Sequence, residues 1–375
     1  MKHCLFILPG PVPPDTHSAN SRFTFLSKVI SGAIVQSSWS TQPCAESNFS
    51  LHLHRYISKP WLVRFLWDLL LIISKGTYLH YARGPFSAVV CYGTTKTALA
   101  GYIIKLLTGA KLIIEIPGNP RQAFMDNNKP FSVLSKIRNA CVQRFINFWL
   151  RHADGIHTYY KKQLDGYKVT SHIIIKTFPE FVAVSALRKK LAAGKLIMFL
   201  GYPWYLKGLD VLLQAYVLIN KEFPEYQLLV MGHIQADEKD YLRRKFCPQI
   251  AGLTFVPGSC WAEAMHQLSE AAFLVLPSRS EAMGRVWAEA MAMGKPVICS
   301  NVDGIPDYVT NNENGILFDS ENVSQLAADM KRLITDQTLY MRLSENGYRY
   351  AHEILSEQNY VSAFVSLVDE VCHER

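Results

Sequence analysis

Ser278-Arg279-Ser280-Glu281-Ala282-Met283-Gly284-Arg285-Val286-Trp287-Ala288-Glu289-Ala290-Met291-Ala292-Met293-Gly294-Lys295-Pro296-Val297 is the stretch that decides the architecture. An apolar run, Ala271 to Leu276, precedes it, and a second, Pro296 to Cys299, follows. Ala288, Ala290 and Ala292 favour helix. Gly284 loosens the chain before that helix, and Gly294 followed by Pro296 stops it. The stretch reads strand, loop, short helix, strand, with the helix N-terminus at the carboxyl end of a buried strand. In open α/β sheets that crevice is where ligands bind. The free N–H groups and positive dipole end there suit a phosphate. Two carboxylates frame the helix, Glu281 in the loop and Glu289 eight residues on. The first can accept hydrogen bonds from sugar hydroxyls, and the second can take both hydroxyls of a ribose. Spacing alone fits equally well a surface Glu and an ordinary helix Glu.

Working outward, the same alternation fills the second half. Strands are predicted at Leu196–Leu200, Gln227–Met231, Leu253–Val256, Phe273–Leu276 and Val297–Cys299. Helices are predicted at 208–221, 237–246, 261–271, 285–293 and 322–335, and an amphipathic helical stretch at about 339–373. The first half repeats the pattern. Its strands are Cys4–Leu8, Ala33–Gln36, Ala88–Tyr92, Lys111–Ile116, Gly155–Tyr159 and His172–Ile175, with helices such as Arg22–Ile30, Thr97–Leu107 and Val133–Arg151. Alternating strand and helix implies parallel sheets covered on both faces. Residues 178–194 break the pattern and read as a linker. The expected domains are therefore 1–185 and 186–355.

Composition bounds the class. The chain has 375 residues, 49% of them hydrophobic, which suits two ordinary domains with real cores. Eight Cys are scattered without a Cys-x-x-Cys pair, several in apolar runs, so a reducing, cytoplasmic compartment is expected. Met1–Gly10 breaks at Pro9 and reads as a first strand rather than a signal segment. The net charge of +8 is unevenly placed: residues 1–194 carry +16 and residues 195–375 carry −8. A basic half can face anionic lipid, an anionic acceptor or nucleic acid, or can simply be solvated. Two apolar helices lie in it. Trp61 to Ser74 is apolar at 11 of 14 positions, too short and too charged to span a bilayer. Phe131 to Arg151 mixes Arg with Phe145, Phe148 and Trp149, as interfacial helices do. Both also fit packing on a sheet.

The motif Glu281-x7-Glu289, with Gly284 three residues after the first Glu and Glu-Ala-Met-Ala-x-Gly-x-Pro-Val at its end, resembles the signature of GT-B glycosyltransferases. It is most similar to glycosyltransferase family four, the retaining enzymes that use nucleotide sugars. The resemblance covers about the C-terminal half. It implies two doubly wound Rossmann-like domains facing across a cleft, with a terminal helix, about 356–375, returning to the first. It assigns Glu281 to the donor sugar, Glu289 to the ribose, and the amides of Met283 and Gly284 to the sugar and diphosphate. Gly201-Tyr202-Pro203-Trp204-Tyr205-Leu206-Lys207-Gly208 is similar to the family's Gly-Arg-x4-Lys-Gly element, which clamps the leaving diphosphate. Lys207 fits. Tyr202 stands where the Arg would be, and Arg285 is a candidate replacement. The loop Pro257-Gly258-Ser259-Cys260-Trp261 corresponds to the one that touches the base, through Gly258 and Ser259. Asp303-Gly304-Ile305-Pro306-Asp307 resembles a structural turn of the family.

The first half departs from the family. The loop Pro9 to Arg22 is Pro-rich rather than Gly-rich, and the segment after Lys111–Ile116 has no His. Asn20, Arg22, Glu115, Asn119 and Arg121 remain as acceptor-side contacts. No Gly-x-Gly-x-x-Gly, P-loop, Asp-x-Asp or Gly-x-Ser-x-Gly occurs, and the pair His52 and His54 lacks a third ligand. No cofactor, metal or nucleic-acid partner is expected. The expected partners are a nucleotide sugar, a glycan or lipid-linked acceptor, and an anionic membrane surface reached by the basic half. The expected function is retaining transfer of a sugar to a hydroxyl, in cell-surface polysaccharide, lipopolysaccharide or glycolipid synthesis. The location is cytoplasmic, with peripheral attachment to the inner membrane face as a further expectation. A GT-B epimerase or hydrolase, or a binding module without catalysis, are the alternatives.

Overall fold

Runs of Val, Ile, Leu and Phe bury both faces of a strand, which is what a parallel sheet between helices requires. In the computed structural model of the chain these runs form two such sheets. The structure describes residues 2–10, 17–38, 49–55, 57, 60–122, 133–189, 194–248 and 250–373. The chain divides into two compact units. Met1–Phe124, Val133–Pro179 and Gln358–Arg375 make one, and Glu180–Glu357 make most of the other.

The first unit runs β1 (Lys2–Ile7), α1 (His17–Leu26), β2 (Ile30–Ser38), β3 (Ser50–Arg55), α2 (Trp61–Arg83), β4 (Ala88–Tyr92), α3 (Lys96–Thr108), β5 (Lys111–Glu115), α4 (Val133–His152), β6 (Gly155–Thr158) and β7 (Ile174–Thr177). The strand order is β3-β2-β1-β4-β5-β6-β7, all parallel. Chain direction across the sheet reverses between β1 and β4. Cys4 to Ile7 on β1 and Ala88 to Cys91 on β4 are fully buried.

Three departures from the predicted elements have physical causes. Helix α1 begins at His17, so Arg22 lies inside a helix rather than at its start. Residues 11–16 of the Pro-rich loop lie outside the described residues. Helix α2 runs on to Arg83, through Lys75-Gly76-Thr77, which resembles a stop. Gly76 is there for packing: a Cβ would come within 2.6 Å of Ile104 Cδ1 and 2.9 Å of Leu5 Cδ2. Strand β3 was not predicted, because Ser-Leu-His-Leu-His-Arg is half polar, as befits an edge strand that stays half-exposed.

The second unit runs β8 (Leu196–Leu200), α5 (Leu209–Glu222), β9 (Gln227–Met231), α6 (Ala236–Phe246), β10 (Leu253–Val256), α7 (Trp261–Glu270), β11 (Phe273–Leu276), α8 (Arg285–Ala292), β12 (Val297–Ser300), β13 (Ile316–Phe318), α9 (Val323–Thr335) and α10 (Gln337–Ile354). The order is β10-β9-β8-β11-β12-β13, reversing between β8 and β11. The predicted linker is partly core, since Phe181, Val182, Val184 and Leu187 are buried. The predicted terminal stretch is two helices. The second, α11 (Glu357–His373), is grouped from Gln358 onward with the first unit. There Phe364 stacks on Phe6, with ring centroids 5.9 Å apart.

Candidate functional site

The site residues of the second unit collect at the carboxyl ends of β8, β9, β10 and β11, around the point where strand order reverses. After β8 the chain turns through Gly201 to Gly208 into α5. Gly208 has φ +67°, and a Cβ there would sit 1.8 Å from the Pro277 carbonyl oxygen. Only glycine lets the β8 loop press this closely on the loop after β11. The contact is sealed by the Arg279 N–H, which donates to the Leu206 carbonyl at 2.8 Å. Lys207 is thereby carried to Glu281, and the two form an ion pair. Their side chains are 22% and 17% exposed, so the pair is shielded yet reachable.

The Glu281 loop is held from below. Asp303 Oδ2 accepts from the Glu281 N–H at 3.1 Å and from the Ser280 hydroxyl. The Gly304 N–H donates to the Glu281 carbonyl at 3.1 Å. The Asp303 turn therefore positions the loop. Gly284 caps α8 at φ +77°, and a Cβ there would meet Glu281 Cγ at 2.8 Å. The Glu281 side chain thus folds against Gly284 at the start of α8. Met283 is buried, and its carbonyl accepts from Trp287 Nε1.

Glu289 lies one helix face further in and is 5% exposed. Trp261 Nε1–H donates to its Oε1 at 2.9 Å, and Arg285 Nη2 lies 3.9 Å from the same oxygen. Burial pushes the Glu289 carboxyl above the ordinary range, against the opposing pull of Arg285 and the Trp261 N–H. One oxygen is thus occupied by a neutral donor. Trp261 starts α7, two residues after Ser259, so the β10 loop and α8 are joined through this carboxylate. Tyr202 is 39% exposed in the β8 loop.

Two residues of this region escaped the sequence analysis. His233 follows β9, and its ring packs where a Gly258 side chain would be, 2.7 Å from the ideal Cβ. Its position one residue past Gly232, at a strand end, was the available signal. Arg279 sits in the motif but is taken by structure. It grips Asp210 with two bonds of 2.8 Å, reaches Glu321 at 2.8 Å and lies over the Tyr205 ring. Despite burial, these acceptors raise its affinity for the proton.

In the first unit two of the expected acceptor contacts, Arg22 and Glu115, are buried. Glu115 is fully buried, and both its oxygens accept from Arg22 Nη1, at 3.1 and 3.0 Å. His157 Nδ1 lies 3.1 Å from Glu115 Oε1, and its Nε2 lies 3.0 Å from the Phe178 carbonyl. Arg22 also donates to the Tyr360 hydroxyl of α11 at 3.2 Å. Burial pushes the Glu115 carboxyl up, but the Arg22 charge and the His157 contact outweigh it and hold it below the ordinary range. Arg22 and Glu115 are therefore spent on each other. Asn20 is within α1, its side chain outside the described residues. Asn119 Oδ1 accepts from the Arg121 N–H at 3.0 Å, and Arg121 is exposed beside Gly166. Among the described residues no three His, Cys, Asp or Glu side chains gather as a metal set. None of the described helices is long and apolar enough to cross a membrane.

Residues 186–350 match the family model for glycosyl transferases group 1. Similar curated proteins include an uncharacterized glycosyltransferase of Haemophilus influenzae, 27% identical over 161 residues, or 42% of this chain and 45% of that protein. The capsular polysaccharide biosynthesis glycosyltransferase CapM of Staphylococcus aureus is 28% identical over 156 residues, 40% of each chain. The chain spans less than half the length of these relatives. Among solved structures, sucrose-phosphate synthase of Thermosynechococcus elongatus aligns with a TM-score of 0.79 at 16% identity, covering 99% of both chains. HepE of Anabaena, in complex with UDP and glucose, aligns with 0.71 at 12% identity, over 97% of this chain and 99% of that one. These whole-chain likenesses show the fold, GT-B, with two Rossmann-like α/β units.

Proposed function

We propose, from a chain whose residues 186–350 belong to the glycosyl transferases group 1 family, that it moves a sugar from a nucleotide-sugar donor to a hydroxyl of a glycan or lipid-linked acceptor. The transfer is retaining and needs no metal, and it serves the building of a cell-surface polysaccharide, lipopolysaccharide or glycolipid. One observation carries the reading. A shielded cation, Lys207, and a shielded carboxylate, Glu281, are paired where strand order reverses, in the loop that leads into α8 with its buried Glu289.

Each group has a matching task. The Lys207 ammonium and the first amides of α8 stabilise negative charge as it builds on the leaving diphosphate. A diphosphate competes with Glu281 for Lys207, which frees Glu281 to accept hydrogen bonds from the donor sugar. Glu289 receives the ribose diol, its orientation fixed by Trp261. Ser259, Gly258 and Tyr202 border the nucleoside. The acceptor oxygen bonds to the anomeric carbon as the bond to the diphosphate oxygen breaks. The electron pair goes to the diphosphate, which also takes the acceptor's proton. HepE, which shares the fold, is solved with UDP and with UDP-glucose, and this supports a uridine donor.

A thermal-shift series with UDP- and GDP-sugars tests the reading. Ligand at about 100 times its dissociation constant should add roughly 2.7 kcal/mol of stability to the wild type. The Glu289→Ala variant should gain none from the same ligand. Absence of any shift in the wild type across both series would sink the donor site.

A further inference from the structure

Helices α2, α3 and α4 link β3, β4, β5 and β6 in steps that all run the same way along the sheet. Right-handed crossovers then place all three on one face. They pack side by side. The Tyr81 hydroxyl donates to the Leu107 carbonyl at 2.7 Å, Lys105 Nζ donates to the His152 carbonyl at 3.0 Å, and Tyr102 meets Phe148 edge to face.

The outer surface of this layer is wrong for water. On α2 the inner side is Asp68, Ile72, Gly76 and Leu79, while Leu62, Val63, Leu66, Trp67 and Leu70 face out. Leu70 is 65% exposed, as is Trp61 at the start of the helix. The apolar surface continues through exposed Tyr78, Tyr81, Leu106 and Leu107 around an open groove of about 510 Å³. On α4 it resumes with exposed Ile137, Phe145 and Phe148. Soluble surfaces rarely carry contiguous apolar patches of this kind without a partner.

Charge identifies the partner. The three helices contain one acidic residue, Asp68, which is buried between Lys96 at 2.6 Å and His54 at 3.3 Å. Exposed Lys75 and Arg83 on α2 and Arg144 and Arg151 on α4 stand among the apolar groups. Aromatic and leucine side chains mixed with cations and free of exposed carboxylates match an anionic bilayer surface. Tyr and Trp sit at its headgroup level, and Lys and Arg reach phosphates. We propose that the outer face of α2, α3 and α4 docks on an anionic membrane, with Trp61 to Leu70 inserted among the headgroups and acyl chains. This goes beyond the transfer reading and is independent of it.

Vesicle co-sedimentation without nucleotide sugar tests the proposal. The wild type should pellet with phosphatidylglycerol-containing vesicles, weakly or not at all with phosphatidylcholine alone, and less as salt rises. Leu66→Glu with Leu70→Glu, both on the outer face, should weaken binding at least tenfold while leaving the melting temperature and any nucleotide-induced shift in place. Should that variant fold poorly, Lys75→Gln with Arg151→Gln should lower binding severalfold and flatten the salt dependence. Wild type that stays in the supernatant overturns the proposal, as does vesicle binding unchanged in a folded variant. Self-association that these substitutions abolish, in protein that ignores vesicles, assigns the face to a second copy and equally overturns it.

Discussion

Each of the two units pairs a carboxylate with a basic residue, and the two pairs have opposite fates. In the first unit Glu115 is fully buried and bound by Arg22, His157 lies against it, and Tyr360 takes part through Arg22. Every strong acceptor position there is answered from inside the protein. In the second unit Glu281 meets Lys207, and both stay partly exposed. Glu289 has one neutral donor on one oxygen. A carboxylate paired with a cation therefore makes a rivet in one unit and a receptive site in the other. Burial and the number of partners separate them.

The sharpest way to break this comparison is to neutralise each carboxylate. Glu115→Gln leaves Arg22 as an uncompensated buried charge and should cost about 3–5 kcal/mol in a urea melt at pH 7. Glu281→Gln should change stability by about 1 kcal/mol or less, since its partner can turn to water. Equal losses would abolish the distinction. The sign with pH follows from the depressed Glu115 pKa. Its contribution is present above the unfolded pKa and is lost as pH falls through the folded one, so the two proteins should converge in acid.

A smaller effect sharpens the receptive side. Trp261→Phe removes the N–H that orients Glu289 while keeping a ring of similar shape. Nucleotide-sugar binding measured by calorimetry should weaken by about 1.5–3 kcal/mol, with the ligand-free melting temperature little changed. A variant that binds as tightly as the wild type would show that Trp261 only fills space.

The smallest effect concerns the ligand-free protein. Burial raises the Glu289 pKa, so the folded state holds its proton above the range in which the unfolded chain has released it. Stability from this group is present below the unfolded pKa and is lost as pH rises through the folded one. Glu289→Gln should lack that decline and be at least as stable as the wild type at pH 8, while failing to respond to donor. A steeper decline in the variant would contradict the assigned environment.

Much of this was legible in the sequence. Strands with continuous apolar runs, such as Phe273–Leu276, were located to the residue, because burial on both faces leaves no other composition. Edges were not legible: β3 is half polar and β13 has three residues, so neither carries a core signal. Helix α2 looked shorter than it is because Gly76 answers to Leu5 and Ile104, which no local pattern contains. In the site, Glu281, Glu289 and Lys207 could be picked from the motif. Their partners could not, since Trp261 arrives on α7 and Asp303 on the turn after β12. The mutual consumption of Arg22 and Glu115 was hidden for the same reason: they are 93 residues apart and meet only in the fold.

Helix α11 has a consequence for the order in which the protein is made. Tyr360 holds Arg22, Phe364 stacks on Phe6, and Glu370 takes Lys176 at 2.5 Å, so the first unit draws part of its core from a segment translated after the second unit. While a ribosome is still producing the second unit, the first lacks that helix and leaves Phe6 and the Arg22–Glu115 pair incompletely covered. The first unit is thus finished only after the second has been made, and the nascent chain carries an unsealed sheet while the second unit is synthesised.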